Sequence, residues 1–167
     1  MTKAMEHAFI IYPLGKKSFG WLYQQEAFET ILREIKEIKS LYNIDDNKVY
    51  IGGHSNGGSG AFWFALNQPS PFAPSFGLNY LPEVYGSNTS IKNLNNTAPF
   101  YGISGIKDKT FPISIVSSIF NYQIVNGANW KNFIKEGDHE LPFENRDSIN
   151  FIFDTLATKT RNPFPKK

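Results

Sequence analysis

A serine lies inside a glycine cluster in the stretch VYIGGHSNGGSGAFW, residues 49–63. The stretch passes from an apolar, β-type segment into a run of small residues, which predicts a strand, a sharp turn and a helix. Such a turn would hold the Oγ of Ser55 above the sheet, and Gly53 and Gly57 would avoid a clash there. The pattern G-x-S-x-G therefore indicates a nucleophilic serine. A helix-capping serine is the alternative interpretation, whereas a phosphate-binding loop would need a lysine and a glycine spacing that this stretch lacks.

A serine nucleophile needs a base that takes its proton and a carboxylate that orients the base. Of the three histidines, His139 is the best placed, because it lies in the loop after WKNFIKEG, a predicted strand. His7 precedes the first predicted strand, and His54, next to the serine, should point away from it. Asp108 follows TAPFYGISG, another predicted strand. The sequence thus predicts Ser55, Asp108 and His139 at the carboxyl ends of successive strands, with solvated loop residues as the alternative for the Asp and the His.

The elements that would position these residues alternate between strands and helices. Residues 8–13, AFIIYP, are apolar and end at a proline, which predicts a buried strand. An amphipathic helix is predicted from Gln25 to about Leu41, because its apolar residues recur at intervals of three and four. The later predicted elements are strand 48–52, helix 58–68, strand 74–81, strand 97–105, helix 113–127, strand 130–137 and helix 148–159. This order predicts an α/β fold with a parallel sheet and helices on its faces, and with a polar excursion at residues 83–97.

Composition limits the classes of protein to which the chain can belong. Its 167 residues fit one domain, predicted at residues 1–160, followed by a basic tail at 161–167. The 17 basic and 15 acidic residues are too nearly balanced to indicate nucleic-acid binding. The absence of cysteine and the scattered histidines predict no metal or other cofactor. The N-terminus lacks a signal-like or membrane-spanning apolar run, so the chain as written is predicted to be cytoplasmic, and secreted or periplasmic if an N-terminal segment was lost.

These motifs resemble those of the α/β-hydrolase serine esterases, in particular enzymes similar to polyhydroxybutyrate depolymerases and feruloyl esterases. The resemblance lies in FIIYP with the GW pair that follows it, in YNIDDNKVYIGGHSNGG, in SGIKDKTFPI and in EGDHELP, and it spans most of residues 8–155. It implies the triad order Ser, Asp, His, with a nucleophile at Ser55, an acid at Asp108 and a base at His139. It also implies an oxyanion donor at the backbone N–H of Asn56. The implied activity is cleavage of a small-molecule or polymer-derived ester through an acyl-enzyme intermediate.

The chain departs from the pattern of this family at its N-terminus. Family members carry further strands before the strand predicted at residues 8–13, and a loop after one of them supplies a second oxyanion donor. We therefore expect an N-terminally truncated α/β-hydrolase sheet whose open edge can pair with another chain. Loss of one oxyanion donor typically slows the reaction about a hundredfold to a thousandfold, so reduced activity is also expected.

The same motifs are compatible with other functions. A serine peptidase of the prolyl-oligopeptidase type has a similar turn at its serine and the same triad order. A catalytically silent, hydrolase-like module that binds a partner or a carbohydrate is the alternative from a different class. Trp21, Tyr80 and Phe111 lie near the predicted loops and are candidates to line an acyl or aryl pocket. In a chain with 15 Phe, however, aromatic side chains more often form the core.

Overall fold

A parallel sheet with helices against it forms the centre of the molecule. The computed structural model describes residues 8–15, 21, 25–67, 72–82, 99–141, 150–154 and 158–161. In these ranges the sheet has four strands in the order β1 (Ile51–His54), β2 (Ser75–Leu78), β3 (Phe100–Gly105) and β4 (Trp130–Lys135). The helices are α1 (Gln25–Leu41) before β1, α2 (Asn56–Asn67) between β1 and β2, and α3 (Ile113–Val125) between β3 and β4. All neighbouring strands are parallel, which confirms the predicted α/β class.

Helices cover both faces of the sheet because side chains of a strand point alternately to opposite sides. On one face, Phe100 and Trp130 pack against apolar side chains of α2 and α3. On the other face, Leu78 and Ile103 pack against Ile152, which belongs to a helical segment at residues 150–154. The sheet is therefore the middle layer of three, and its carboxyl edge remains available for a site.

Helix α1 is amphipathic and lies against α2. Its Phe28 ring stacks on Trp63 with 4.0 Å between the ring centroids. The rings of Phe28 and Phe64 meet edge to face, with 5.2 Å between their centroids. Val49 and Ile51, just before and within β1, belong to the same cluster. The helix predicted from the spacing of its apolar residues is thus confirmed, and this packing explains that spacing.

The segment at residues 8–13 differs from the prediction. It forms no strand, and the side chains of Phe9, Ile10 and Ile11 are 54%, 55% and 41% exposed. Apolar, β-branched residues form a buried strand only where a neighbouring strand bonds their N–H and C=O groups, and no described strand pairs with this segment. The Phe9 ring instead lies 4.5 Å from the ring of Tyr42, just beyond α1. The prediction of a buried strand is therefore wrong.

The strand and the helix on either side of Ser55 begin at residues that differ from the predicted ones. Strand β1 begins at Ile51 rather than at Lys48, because residues Asp46–Lys48 form a 3₁₀ turn. The turn is capped by Asp45, whose carboxylate accepts a hydrogen bond of 2.9 Å from the N–H of Asn47. Helix α2 begins at Asn56 rather than at residue 58, directly after the serine.

Several predicted regions lie outside the described residues. These are the polar excursion at residues 83–97, residues 148–149 and 155–157 of the last predicted helix, and the tail after residue 161. Within the described ranges, no helix combines the length and the apolar character that crossing a membrane requires.

Candidate active site

Ser55 occupies the sharp turn between β1 and α2. Its φ of 55° lies in the left-handed region, which residues other than glycine rarely adopt. The turn is fixed by hydrogen bonds from the Ser55 N–H to the Leu78 carbonyl, 2.8 Å, and from the Ser59 N–H to the Ser55 carbonyl, 3.0 Å. A Cβ atom at Gly53 would collide with the backbone of Gly57. The glycines therefore allow a close approach of strand and helix, and the turn places Ser55 at the carboxyl edge of the sheet.

Three side chains at this edge form a continuous chain of hydrogen bonds. The Oγ of Ser55 lies 2.8 Å from Nε2 of His139, and Nδ1 of His139 lies 2.8 Å from Oδ2 of Asp108. Because an ionised carboxylate only accepts hydrogen bonds, the neutral imidazole carries its proton on Nδ1 and accepts the serine hydroxyl proton at Nε2. The structure thus brings together the three residues selected from the sequence, in an arrangement that can move a proton from the hydroxyl to the imidazole.

The carboxylate of Asp108 is held by its own loop. Its side chain is 1% exposed, and Oδ1 accepts hydrogen bonds of 2.8 Å from the backbone N–H groups of Thr110 and Phe111. These charge-assisted bonds satisfy one carboxylate oxygen and leave the other directed at His139. The loop after β3 therefore fixes the orientation of the acid before any substrate binds.

The loop after β4 carries His139 across the carboxyl edge of β3. Its Gly137, at a φ of 117°, has a conformation that favours glycine. The carbonyl of Gly137 accepts a hydrogen bond of 3.0 Å from the N–H of Lys107. Asp138 does not take the place of the acid: its Oδ1 accepts a hydrogen bond of 2.8 Å from the backbone N–H of His139. Asp138 thus shapes the loop locally, while Asp108 contacts the ring.

Asn79, which the sequence patterns did not indicate, joins three parts of this edge. Asn79 follows β2, is 1% exposed and has a φ of 43°. Its Nδ2 donates to the carbonyls of Asp138 and Glu140 at 3.2 and 2.9 Å, and its Oδ1 accepts from the N–H of Gly105 at 2.9 Å. The one signal in the sequence was the residue type, because asparagine tolerates the left-handed region and is depleted in strands, although the strand predicted at residues 74–81 included Asn79.

His54 also makes a contact that sequence analysis did not predict. Its Nε2 lies 2.6 Å from the carbonyl oxygen of His139, so a neutral ring donates its Nε2 proton to that oxygen. Burial lowers the pKa of His54 below its ordinary value, and His139 and Lys135 act in the same direction. The hydrogen bond to the carbonyl and the nearby Asp108 oppose this shift without reversing it. The neutral ring is therefore the favoured form at neutral pH.

Asn56 and Trp21 lie side by side next to the serine. Asn56 is the first residue of α2, and its Oδ1 accepts a hydrogen bond of 2.8 Å from the backbone N–H of Trp21. The Trp21 side chain lies over Gly60 of α2 and beside the Phe28 ring, 6.5 Å away between centroids. The roles of Asn56 as oxyanion donor and of Trp21 as substrate contact stay predictions.

The other two aromatic residues predicted at the site lie in different environments. The ring of Phe111 meets the ring of His139 edge to face, with 5.2 Å between centroids, so it lies next to the hydrogen-bonded chain. Tyr80 is fully buried and packs between Phe62 and Phe100. Burial raises the pKa of its hydroxyl well above the ordinary value. This placement does not fit the predicted contact of Tyr80 with substrate, because its apolar ring fills space in the core instead.

Among the described residues, no three His, Cys, Asp or Glu side chains come close enough together to hold a metal ion. The described polar groups at the edge instead bond to one another.

Comparison with known proteins gives weak sequence similarity and clear structural similarity. No family profile matches the chain. The bifunctional acetylxylan esterase/xylanase XynS20E of Neocallimastix patriciarum is 25% identical over 151 residues, which cover 84% of this chain. The acylaminoacyl peptidase of Pyrococcus horikoshii superposes over 88% of this chain with a TM-score of 0.69 and 18% identity. A thermostable esterase superposes over 85% with a TM-score of 0.64 and 18% identity.

These proteins are considerably longer than the region they share with this chain. The chain spans 20% of the length of the esterase/xylanase. It spans 30% of the peptidase and 39% of the thermostable esterase.

Proposed function

We propose that this chain, whose fold is that of the α/β-hydrolases, is a serine hydrolase that cleaves carboxylic esters through an acyl-enzyme intermediate. The structural matches to the esterase and the peptidase confirm the predicted fold. Because one fold hosts many reactions, the activity has to be argued from the site. The observation that carries the proposal is the pair of hydrogen bonds, each 2.8 Å long, that joins Ser55 Oγ to His139 and His139 to Asp108.

Acylation begins at the hydroxyl of Ser55. As Oγ attacks the acyl carbon, its proton passes to Nε2 of His139, and the Asp108 carboxylate stabilises the imidazolium that forms. The carbonyl double bond opens, and the negative charge moves to the former carbonyl oxygen. When the intermediate collapses, the bond to the alcohol oxygen breaks, and Nε2 gives its proton to that oxygen. The products of this half-reaction are a free alcohol and an ester of Ser55.

Deacylation uses the same groups with water as the nucleophile. His139 takes a proton from water, and the hydroxide oxygen attacks the acyl carbon. When the bond to Oγ breaks, the proton on Nε2 returns to Ser55. The acid leaves, and the hydrogen-bonded chain from Ser55 to Asp108 is restored.

The oxyanion formed in both steps needs preorganised donors. We assign one donor to the backbone N–H of Asn56, because it follows the nucleophile directly and lies at the N-terminus of α2. A site that works with this donor alone would be about a hundredfold to a thousandfold slower than one with two donors. We assign only this donor among the described residues, and we therefore propose slow turnover.

We base the proposed substrate class on the esterase/xylanase that resembles this chain in sequence. Its name includes acetylxylan esterase, so we propose acetyl esters as the first substrates to examine. Cleavage of a peptide amide is the competing activity, and the two differ in the leaving group that His139 must protonate.

The test compares p-nitrophenyl acetate with an N-acetylated amino-acid p-nitroanilide, using the wild-type chain and Ser55→Ala. We expect the wild type to hydrolyse the ester and not the anilide, and Ser55→Ala to show only the background rate. Ester turnover that persists in Ser55→Ala would contradict the proposal. Hydrolysis of the anilide above its background rate, lost in Ser55→Ala, would identify a peptidase instead.

A further inference from the structure

The loop that carries His139 is fixed through a run of consecutive carbonyl oxygens. The carbonyl of Gly137 accepts a hydrogen bond from the Lys107 N–H. The carbonyls of Asp138 and Glu140 accept hydrogen bonds from the side-chain amide of Asn79. The carbonyl of His139 itself, between these two, accepts the hydrogen bond from Nε2 of His54 at 2.6 Å. Each residue from 137 to 140 is therefore tied through its carbonyl to another part of the carboxyl edge.

His54 differs from the other donors because it holds the residue that bears the imidazole. It is the last residue of β1, so the same short segment presents Ser55 and holds the backbone of His139. The two imidazole rings lie 5.1 Å apart between centroids, at an angle of 50°. The contact thus links the nucleophile and its base through the backbone, independently of the bond between Oγ and Nε2.

We propose that His54 is a positioning residue, whose Nε2–H group holds the His139 carbonyl and thereby keeps the His139 ring in line between Ser55 and Asp108. This inference rests on the proposed serine-hydrolase function. His54 exchanges no proton with substrate. It acts on the rate through the orientation of the base, and an error of about 1 Å in the position of such a group can cost about a hundredfold in rate.

Loss of this hydrogen bond should affect orientation more than folding. The carbonyls on both sides of His139 would keep their bonds to Asn79. The His139 peptide could then rotate between two fixed neighbours, which changes the direction of its side chain. Because substrate binding does not use His54, the effect should appear in kcat and not in KM.

The test compares His54→Leu with His54→Gln in the full chain. Leucine fills much of the volume without a donor, whereas the side-chain amide of glutamine places an N–H near the original Nε2. With p-nitrophenyl acetate, we expect His54→Leu to lower kcat about tenfold to a hundredfold with KM within about twofold of the wild type. We expect His54→Gln to recover kcat to within about threefold of the wild type. Thermal melting followed by circular dichroism establishes that both variants fold.

Two kinetic outcomes would overturn the inference. One is a wild-type kcat in His54→Leu. The other is an equal loss of kcat in both variants, since glutamine retains the donor.

A second readout separates this inference from the proposed function. The proton on Nδ1 of His139, bonded to Asp108, should give a low-field proton NMR resonance in the wild type and in His54→Gln. We expect this resonance to be lost in His54→Leu, and a resonance that stays unchanged there would overturn the inference. If the wild type did not hydrolyse esters, the proposed function would fail, and this NMR comparison would still decide whether His54 orients the ring.

Discussion

The ends of β1 and β2 use the same unusual backbone conformation for opposite purposes. Within the described part of the chain, Ser55 and Asn79 are the non-glycine residues at positive φ, with values of 55° and 43°. Each directly follows its strand at the carboxyl edge. Ser55 is partly exposed, and its side chain bonds to a single base. Asn79 is buried, its amide oxygen accepts from the last residue of β3, and its amide nitrogen donates to the loop after β4.

The two residues show that a strained backbone conformation can serve either reactivity or the fixation of loops. A left-handed non-glycine residue costs of order 1–3 kcal/mol and persists only where its surroundings hold it. At Ser55 the cost places a reactive oxygen beside His139. At Asn79 it directs an amide at the loops that carry Asp108 and His139. Changes at Ser55 should therefore remove activity and spare stability, whereas changes at Asn79 should lower stability first.

The largest expected effect is the loss of activity in Ser55→Ala and Ser55→Gly. Both variants lack the nucleophile, so ester turnover should fall by at least about a thousandfold. Glycine also relieves the left-handed strain, so Ser55→Gly should be about 1 kcal/mol more stable than Ser55→Ala in urea unfolding. Equal stability of the two variants would contradict the account of strain at this turn.

The next largest loss of activity is expected in Asp108→Asn. The amide oxygen can still accept the N–H groups of Thr110 and Phe111, so the loop should keep its shape. The amide nitrogen would face Nδ1 of His139 and favour the wrong tautomer, which should lower kcat by about a thousandfold or more. Steady-state kinetics and a melting curve measure both quantities. A kcat within tenfold of the wild type would remove Asp108 from the proposed mechanism.

At Asn79 the expected effect is on the free energy of unfolding. Alanine would leave the Gly105 N–H and the carbonyls of Asp138 and Glu140 without their side-chain partner, and we expect a loss of about 2–4 kcal/mol. Asn79→Gly removes the same bonds and tolerates the left-handed conformation, so it should be about 1 kcal/mol more stable than Asn79→Ala. Urea unfolding of both variants measures these differences. Wild-type stability in Asn79→Gly would show that the amide bonds do not hold this edge together.

The smallest expected effect is a dependence of stability on pH through His54. The pKa of His54 is lowered in the folded chain, so the unfolded chain binds its proton first as pH falls below about 6.5. The free energy of unfolding should therefore decrease below that pH, until the folded His54 is also protonated. The charges of His139, Asp108 and Lys135 act on the pKa of His54, and His54→Gln retains all three groups.

The measurement is urea unfolding of the wild type and His54→Gln at pH values of about 7.5 and 5.5. The wild type should lose more stability over this interval than His54→Gln. Equal losses would show that His54 does not contribute to the pH dependence.

Much of this edge could be predicted because each strand end carries a local signal. The glycines around Ser55 require a tight turn, and Asp108 and His139 each lie in the loop that follows a predicted strand. The roles of Asn79 and His54 could not be predicted in this way, because their partners include backbone carbonyls on a loop that is distant in sequence. The prediction of a strand at residues 8–13 was wrong for a related reason. Their apolar pattern is typical of a strand, but pairing depends on a neighbour that the pattern does not contain.

The proposed function depends on the activation of Ser55 by His139 in this chain. The most direct measurement is intact mass analysis after reaction with a fluorophosphonate, followed by peptide mapping, with Ser55→Ala as the control. We expect one adduct per chain, located on Ser55, and no adduct on the control. A chain that stays unlabelled, or one labelled at several serines and equally in Ser55→Ala, would contradict this activation.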